Sequence, residues 1–174
     1  AVLNGAVYVG AITVTGGGHA DEDSNADFNE VVDATTIAVT ATSSYGTATT
    51  TFAKDVSAAI TLTDATSLAT VAFDGSDAQT LTGSFIAGND ADGTVNILAG
   101  ANLVTISGVA GIAGTGLLAV NVGDGTTAGT AKFSSAIDVA TITINGDGGA
   151  STANFDGNVT GSGTMAIVTG ATAG

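Results

Sequence analysis

The stretch with the residue types to hold a ligand runs from His19 to Asp33, HADEDSNADFNEVVD, and carries six of the sixteen acids in the chain. Within it Asp21, Asp23, Asn25 and Asp27 recur at every second position. Oxygen ligands at that spacing are what a calcium loop uses to wrap a hard cation, so these four are the candidate metal ligands and Ca2+ the candidate cofactor. A complete loop of that kind also needs a glycine and a bidentate glutamate, where this chain has Ala26 and Val32. The competing reading of the same residues is a solvated acidic loop. His19, the single histidine, sits beside these carboxylates and reads as an exposed loop residue rather than a ligand.

Catalytic chemistry finds little support. A nucleophilic triad needs a histidine base, and the one available lies in a Gly-rich loop with no Ser-centred elbow. No phosphate-cradling glycine motif leads into a helix. Two of the sixteen acids could meet as a hydrolytic carboxylate pair, but the chain has neither Arg nor Trp to grip anionic or ring-shaped sugars. The expectation is a protein that is not an enzyme. The pairs Asp74-Gly75, Asp92-Gly93, Asp124-Gly125, Asn145-Gly146 and Asp156-Gly157 read as ordinary tight corners, with incidental calcium at Asp124, Asp147 or Asp156 as the competing reading.

Charge narrows the partners. Two lysines, Lys54 and Lys132, against sixteen acids give a net charge of −14. Such a surface repels phosphate backbones and anionic membranes, which argues against nucleic acid and in favour of divalent cations. The most apolar stretch, VAGIAGTGLLAV at 109–120, is short and Gly-broken, so no membrane span is expected. Cysteine is absent, which a repetitive β-stack tolerates in any compartment. Ala1 reads either as the end left by signal cleavage or as the edge of an excised fragment.

The elements that must carry these residues are strands. The chain is 44% hydrophobic, rich in Ala, Val, Ile and Thr, with 26 Gly and no Pro. That balance predicts an all-β fold with many tight corners. Apolar anchors at Phe52, Phe73, Ile97, Phe133 and Phe155 are each followed by an alternating strand such as Ile142-Thr143-Ile144-Asn145. Units of roughly 20–24 residues match one coil of a parallel β-solenoid, in which each coil buries its side chains against the next. The long gap between Ile97 and Phe133 holds a degenerate strand, GLLAVNV. A β-sandwich, also built of short strands and Gly turns, is the alternative.

Two regions follow from this. Residues 47–174 carry the degenerate repeats. Residues 1–46 read as N-terminal strand and acidic loop, a cap or subunit-contact segment continuous with the rest, with Val7, Val9, Ala11 and Ile12 turned inward around a shift at Gly10. Thr61, Thr82, Thr105 and Thr143 occupy similar places in successive units, which would make a hydroxyl ladder suited to ice or glycans.

The composition, together with the units TANFDGNVTG and VATITINGDG, resembles bacterial surface-layer proteins and related β-strand-repeat cell-surface proteins, including some autotransporter passengers. That resemblance implies secretion, a cell-surface location, and self-assembly of copies into a lattice or filament with calcium between subunits. An adhesin or a viral fibre or decoration protein would share the same style of sequence.

Overall fold

The structure, a computed structural model, describes residues 1–17, 22–42, 46–64, 69–146 and 149–168. Among them are seventeen strands and no helix. The first turns contain β1 (Val2–Leu3), β2 (Val7–Gly16), β3 (Ser24–Phe28), β4 (Val32–Ala41), β5 (Ala48–Phe52) and β6 (Val56–Asp64). The middle holds β7 (Ala69–Phe73), β8 (Gln79–Thr82), β9 (Phe85–Ala87), β10 (Asp92–Ile97) and β11 (Leu103–Ile106). The last turns contain β12 (Leu117–Val122), β13 (Thr130–Phe133), β14 (Ile137–Asn145), β15 (Thr152–Phe155), β16 (Val159–Thr160) and β17 (Thr164–Val168).

Every pairing between these strands is parallel and joins residues one turn apart; Ala48 lies on Ala69 and Leu103 on Thr130, so a turn takes 21 to 27 residues. The result is a parallel β-solenoid of about six turns. A sandwich is ruled out, since antiparallel pairing among the described residues is confined to the isolated bridge between Ile112 and Thr115.

Three faces wind around one core. The first stacks β3, β5, β7, β10, β12, the C-terminal part of β14, and β17. The second stacks the start of β2, β4 and β6 under β8, β11, β13 and β15. The third continues from the latter halves of β2, β4 and β6 through β9 and the bridges Phe85–Ala110–Ile137 to Val159. Strand alternation explains the winding, because every second residue points inward and stacks on its equivalent one turn away. One inward column on the first face runs the length of the described stack: Leu3, Phe28, Phe52, Phe73, Ile97, Val122, Ile144 and Ile167. Its aromatic part is tightly stacked, with ring centroids 5.4 Å apart for Phe28 and Phe52 and 5.7 Å for Phe52 and Phe73.

The five anchors of the sequence repeat therefore divide between two columns. Phe52, Phe73 and Ile97 share the first face, whereas Phe133 and Phe155 stack on Ile106 in the second. The long gap between Ile97 and Phe133 is one full turn, ending at Val122, plus a step to the next face. The segment read as degenerate, β12, is a regular rung. TAKF and TANF, by contrast, are neighbouring rungs in register from Thr130 on Thr152 to Phe133 on Phe155, so their likeness is that of successive turns.

Within residues 1–46 the described strands β1 to β4 join the same ladders, pairing in register with later turns. The shift expected at Gly10 is present. Thr35 and Thr36 are consecutive exposed residues in β4, and the register with β6 slips there by one. Val7, Val9 and Ile12 align with the buried Val32, Ala34 and Ile37. Ala11 instead aligns with the exposed Thr36, which corrects its inward assignment.

One inward rung is chemically mismatched. Thr50 is fully buried between Ala26 and Val71, and its hydroxyl has no hydrogen-bond partner. Burying an unpaired hydroxyl costs on the order of 1–3 kcal/mol, and valine has the same branched shape. Thr50→Val is expected to stabilise the fold by about 1 kcal/mol, read as a higher midpoint in thermal or urea unfolding. An unchanged or lower midpoint would mean the hydroxyl is satisfied.

Candidate functional site

The described part of the acidic stretch contains a strand. Residues 24–28 form β3, with Ala26 and Phe28 buried and Asn25 and Asp27 on the outer side, aligned with Thr49 and Thr51 of β5. The recurrence of polar residues at every second position is thus the pleat of a strand. Extended backbone places such residues about 6.6 Å apart along a straight line, whereas wrapping a cation needs a chain that turns around it. Asp23 is occupied otherwise: its Oδ1 accepts the Thr47 backbone N–H and hydroxyl, both at 2.8 Å. Asp21 and His19 lie outside the described residues. Among the described residues no group of three His, Cys, Asp or Glu side chains is placed to hold a metal.

The acids differ in how they titrate. Backbone and side-chain hydrogen bonds from Thr47 hold the Asp23 carboxyl below the usual carboxylate range. Backbone N–H groups of Thr127 and Thr126, then the Thr126 hydroxyl, do the same to Asp124. Burial, then the neighbouring charge of Asp27, pushes Asp74 up. For the two depressed groups, the contacts to the charged form contribute stability that is present above the unfolded pKa and is lost as pH falls through the lower folded value. For Asp74 the sign reverses, and protonation relieves a penalty. Of these three, Asp74 is expected to protonate before Asp23 and Asp124 in an NMR acid titration, with the amide signals of Thr47, Thr126 and Thr127 moving only at the acid end. A common midpoint for all three would contradict these contacts.

The four threonines expected to form a ladder do not meet. Thr61 aligns with Ala38 and Ile86 on the third face, and Thr143 with Asn121 and Ala166 on the first. Thr105 lies between Thr80 and Lys132 on the second face, and Thr82 aligns with Ser57. The rows that do form lie on the outer side of the first face. One runs Asn25, Thr49, Thr70, Thr94, Ala119, Thr141 and Thr164; the other runs Asp27, Thr51, Ala72, Asn96, Asn121, Thr143 and Ala166. Both lysines are paired, Lys54 with Asp77 at 2.5 Å and Lys132 with Asp156 at 3.0 Å.

The ends of the stack are the other distinctive surfaces. The outer edges of β1 and β2 at one end, and of β15, β16 and β17 at the other, pair with nothing among the described residues. Inward-column residues are therefore left open to solvent. At the C-terminal end Val159 is 41%, Met165 50% and Ile167 67% exposed, and at the N-terminal end Val9 is 45% exposed. Met165 stacks on Ile142 and Ile167 on Ile144, so these are inward-column positions on the last described turn. A groove of about 170 Å³ between Val139, Ile142, Val159 and Met165 opens beside them. The sequence reading missed these positions. Aligning V-N-I at 95–97 with V-N-V at 120–122 would have given the true turn and, by extension, the columns that end at Ile167 and Leu3.

No protein-family model, curated protein or solved structure matches the chain.

Proposed function

We propose that the chain is an extracellular structural protein, without a catalytic role, whose copies join end to end into a filament or surface lattice. The observation that carries this reading is the apolar column that runs through the described turns from a half-buried Leu3 to an exposed Ile167. Among the described residues, parallel strand edges on three faces are without a partner at each end of it. A second copy placed in register puts its Leu3 over Ile167 and its β2 over β15 and β16, and each strand edge gains the partner it lacks. The contact is heterologous, head to tail, so it grows into an open filament unless rotation closes it.

Charge opposes this union, because each copy carries −14. Divalent cations such as Ca2+ act between copies as screening or bridging counter-ions, distinct from any site within one chain. Sedimentation and negative-stain imaging across a concentration series test the reading. Filaments that lengthen with concentration are expected, with shorter ones after chelation at low ionic strength. A strictly monomeric protein at high concentration would falsify self-assembly, and chelator-resistant filaments would remove the cation from it.

A further inference from the structure

A second surface on the first face is built like a ligand groove. Its volume is about 350 Å³, and it is lined by Asn96, Leu98, Asn121, Asp124, Thr143 and Asn145 around Gly123. The groove has a structural cause. Leu98, Gly123 and Asn145 are the residues that follow the aligned Ile97, Val122 and Ile144, so they occupy one position on three successive turns. Gly123 leaves that position empty between two side chains. It cannot be filled, because Gly123 has φ of +79° and a Cβ there would collide with the Asn145 carbonyl.

One wall is the row Asn96, Asn121 and Thr143, in register, with the Asn121 Nδ2 donating to the Asn96 Oδ1 at 2.9 Å. The other comes from the connection between β12 and β13, residues 123–129, longer than the matching connections 98–102 after β10 and 74–78 after β7. Asp124 is fixed there. Its Oδ1 accepts the N–H groups of Thr126 at 2.8 Å and Thr127 at 2.7 Å and the Thr126 hydroxyl at 2.8 Å, while Oδ2 takes none of these bonds.

From this geometry we infer that the groove binds a neutral saccharide. The Asn96–Asn121 bond leaves the Asn96 amide with N–H donors to spare and the Asn121 carbonyl free to accept, and Thr143 adds a hydroxyl. Paired donors and acceptors of this kind match vicinal sugar hydroxyls, which both donate and accept. The free Asp124 oxygen accepts further hydroxyl protons, and Leu98 offers an apolar patch to the C–H face of a ring. Three rungs span roughly 10 Å, which suits two linked rings. Anionic ligands are disfavoured by the net charge of −14 and by the engagement of both lysines elsewhere. A divalent cation is disfavoured because, among the described residues, Asp124 is the one carboxylate lining the groove.

The test is saturation-transfer NMR and calorimetry on the whole chain, at concentrations below any assembly. The probes are neutral gluco-, manno- and galacto-configured oligosaccharides, their sulfated counterparts, and Ca2+ alone. Binding of at least one neutral oligosaccharide in the millimolar range or tighter is expected. The double variant Asn96→Ala/Asn121→Ala should weaken it at least tenfold with an unchanged melting temperature, since Ala72 and Ala166 already stand in the same row. Failure of every neutral sugar to bind, binding indifferent to the double variant, or a response confined to Ca2+ or to sulfated probes would each overturn the assignment.

Discussion

Replacing Phe52 by alanine is expected to lower the stability of the fold by about 3–5 kcal/mol, the cost of deleting a buried aromatic ring where the surroundings relax only partly. Phe52 is fully buried, with Phe28 on one side and Phe73 on the other, and Phe73 in turn meets Phe85 edge-on at 6.3 Å. Its backbone carbonyl also accepts the buried Gln79 Nε2 at 2.8 Å, so the ring sits over a corner that is tied to the next turn. In a stack held by nearest-neighbour contacts, a void at an inner rung weakens coupling to the turns above and below. The contrast is Phe155, half-buried at the open end and stacked on Phe133 alone at 5.2 Å. Phe155→Ala is expected to cost less than about half as much, since much of that ring is already in water. Urea unfolding of both variants measures the difference. Equal losses at the two positions would mean that the turns are not coupled in the order in which they stack.

Fold class was legible because the signals for it are local. Alternation such as Ile60-Thr61-Leu62-Thr63 needs only one strand to be read, and β6 has that pattern with Ile60 and Leu62 fully buried. The turn length was nearly legible for the same reason, since Phe52 to Phe73 and Phe133 to Phe155 each span one turn. What the sequence hid was which face each residue joins. A solenoid face is defined by contacts one turn away, and turn length varies from 21 to 27 residues without a local mark. A constant-period alignment therefore slid Phe133 onto the wrong column and grouped Thr61, Thr82, Thr105 and Thr143, which lie on different faces and positions. Asn25 and Asp27 show a related ambiguity of pattern. A polar residue at every second position is common to calcium loops and to the outer side of a strand, and only the burial of Ala26 and Phe28 between them separates the two. The groove at Gly123 was out of reach for a stronger reason: it consists of a missing side chain between Leu98 and Asn145, residues 47 apart that meet only across two turns.

Ile167→Glu is expected to block filament growth at one end while leaving the chain folded. Ile167 is already 67% exposed, so a charge there changes the stability of a single copy little. In the joined state the same carboxylate would sit in the continued column against Leu3 of the next copy, buried and unpaired, which costs several kcal/mol. At about 1.4 kcal/mol per factor of ten, association at that end should weaken at least a hundredfold. The direction of the effect carries the most information. An Ile167→Glu chain keeps a normal N-terminal end, with Val9 and Ile12 available, so it can still dock on the Ile167 end of an unmodified filament. Once docked it offers nothing to the next copy. Added at a few per cent to unmodified protein, it should therefore shorten filaments far more than dilution does, and Val9→Glu should do the same from the opposite end. A mixture of the two variants should form head-to-tail pairs through their intact ends and stop there. If instead the variants co-assemble into filaments of normal length, the contact between copies runs along the sides of the solenoid, and the open columns at its ends are not what joins them.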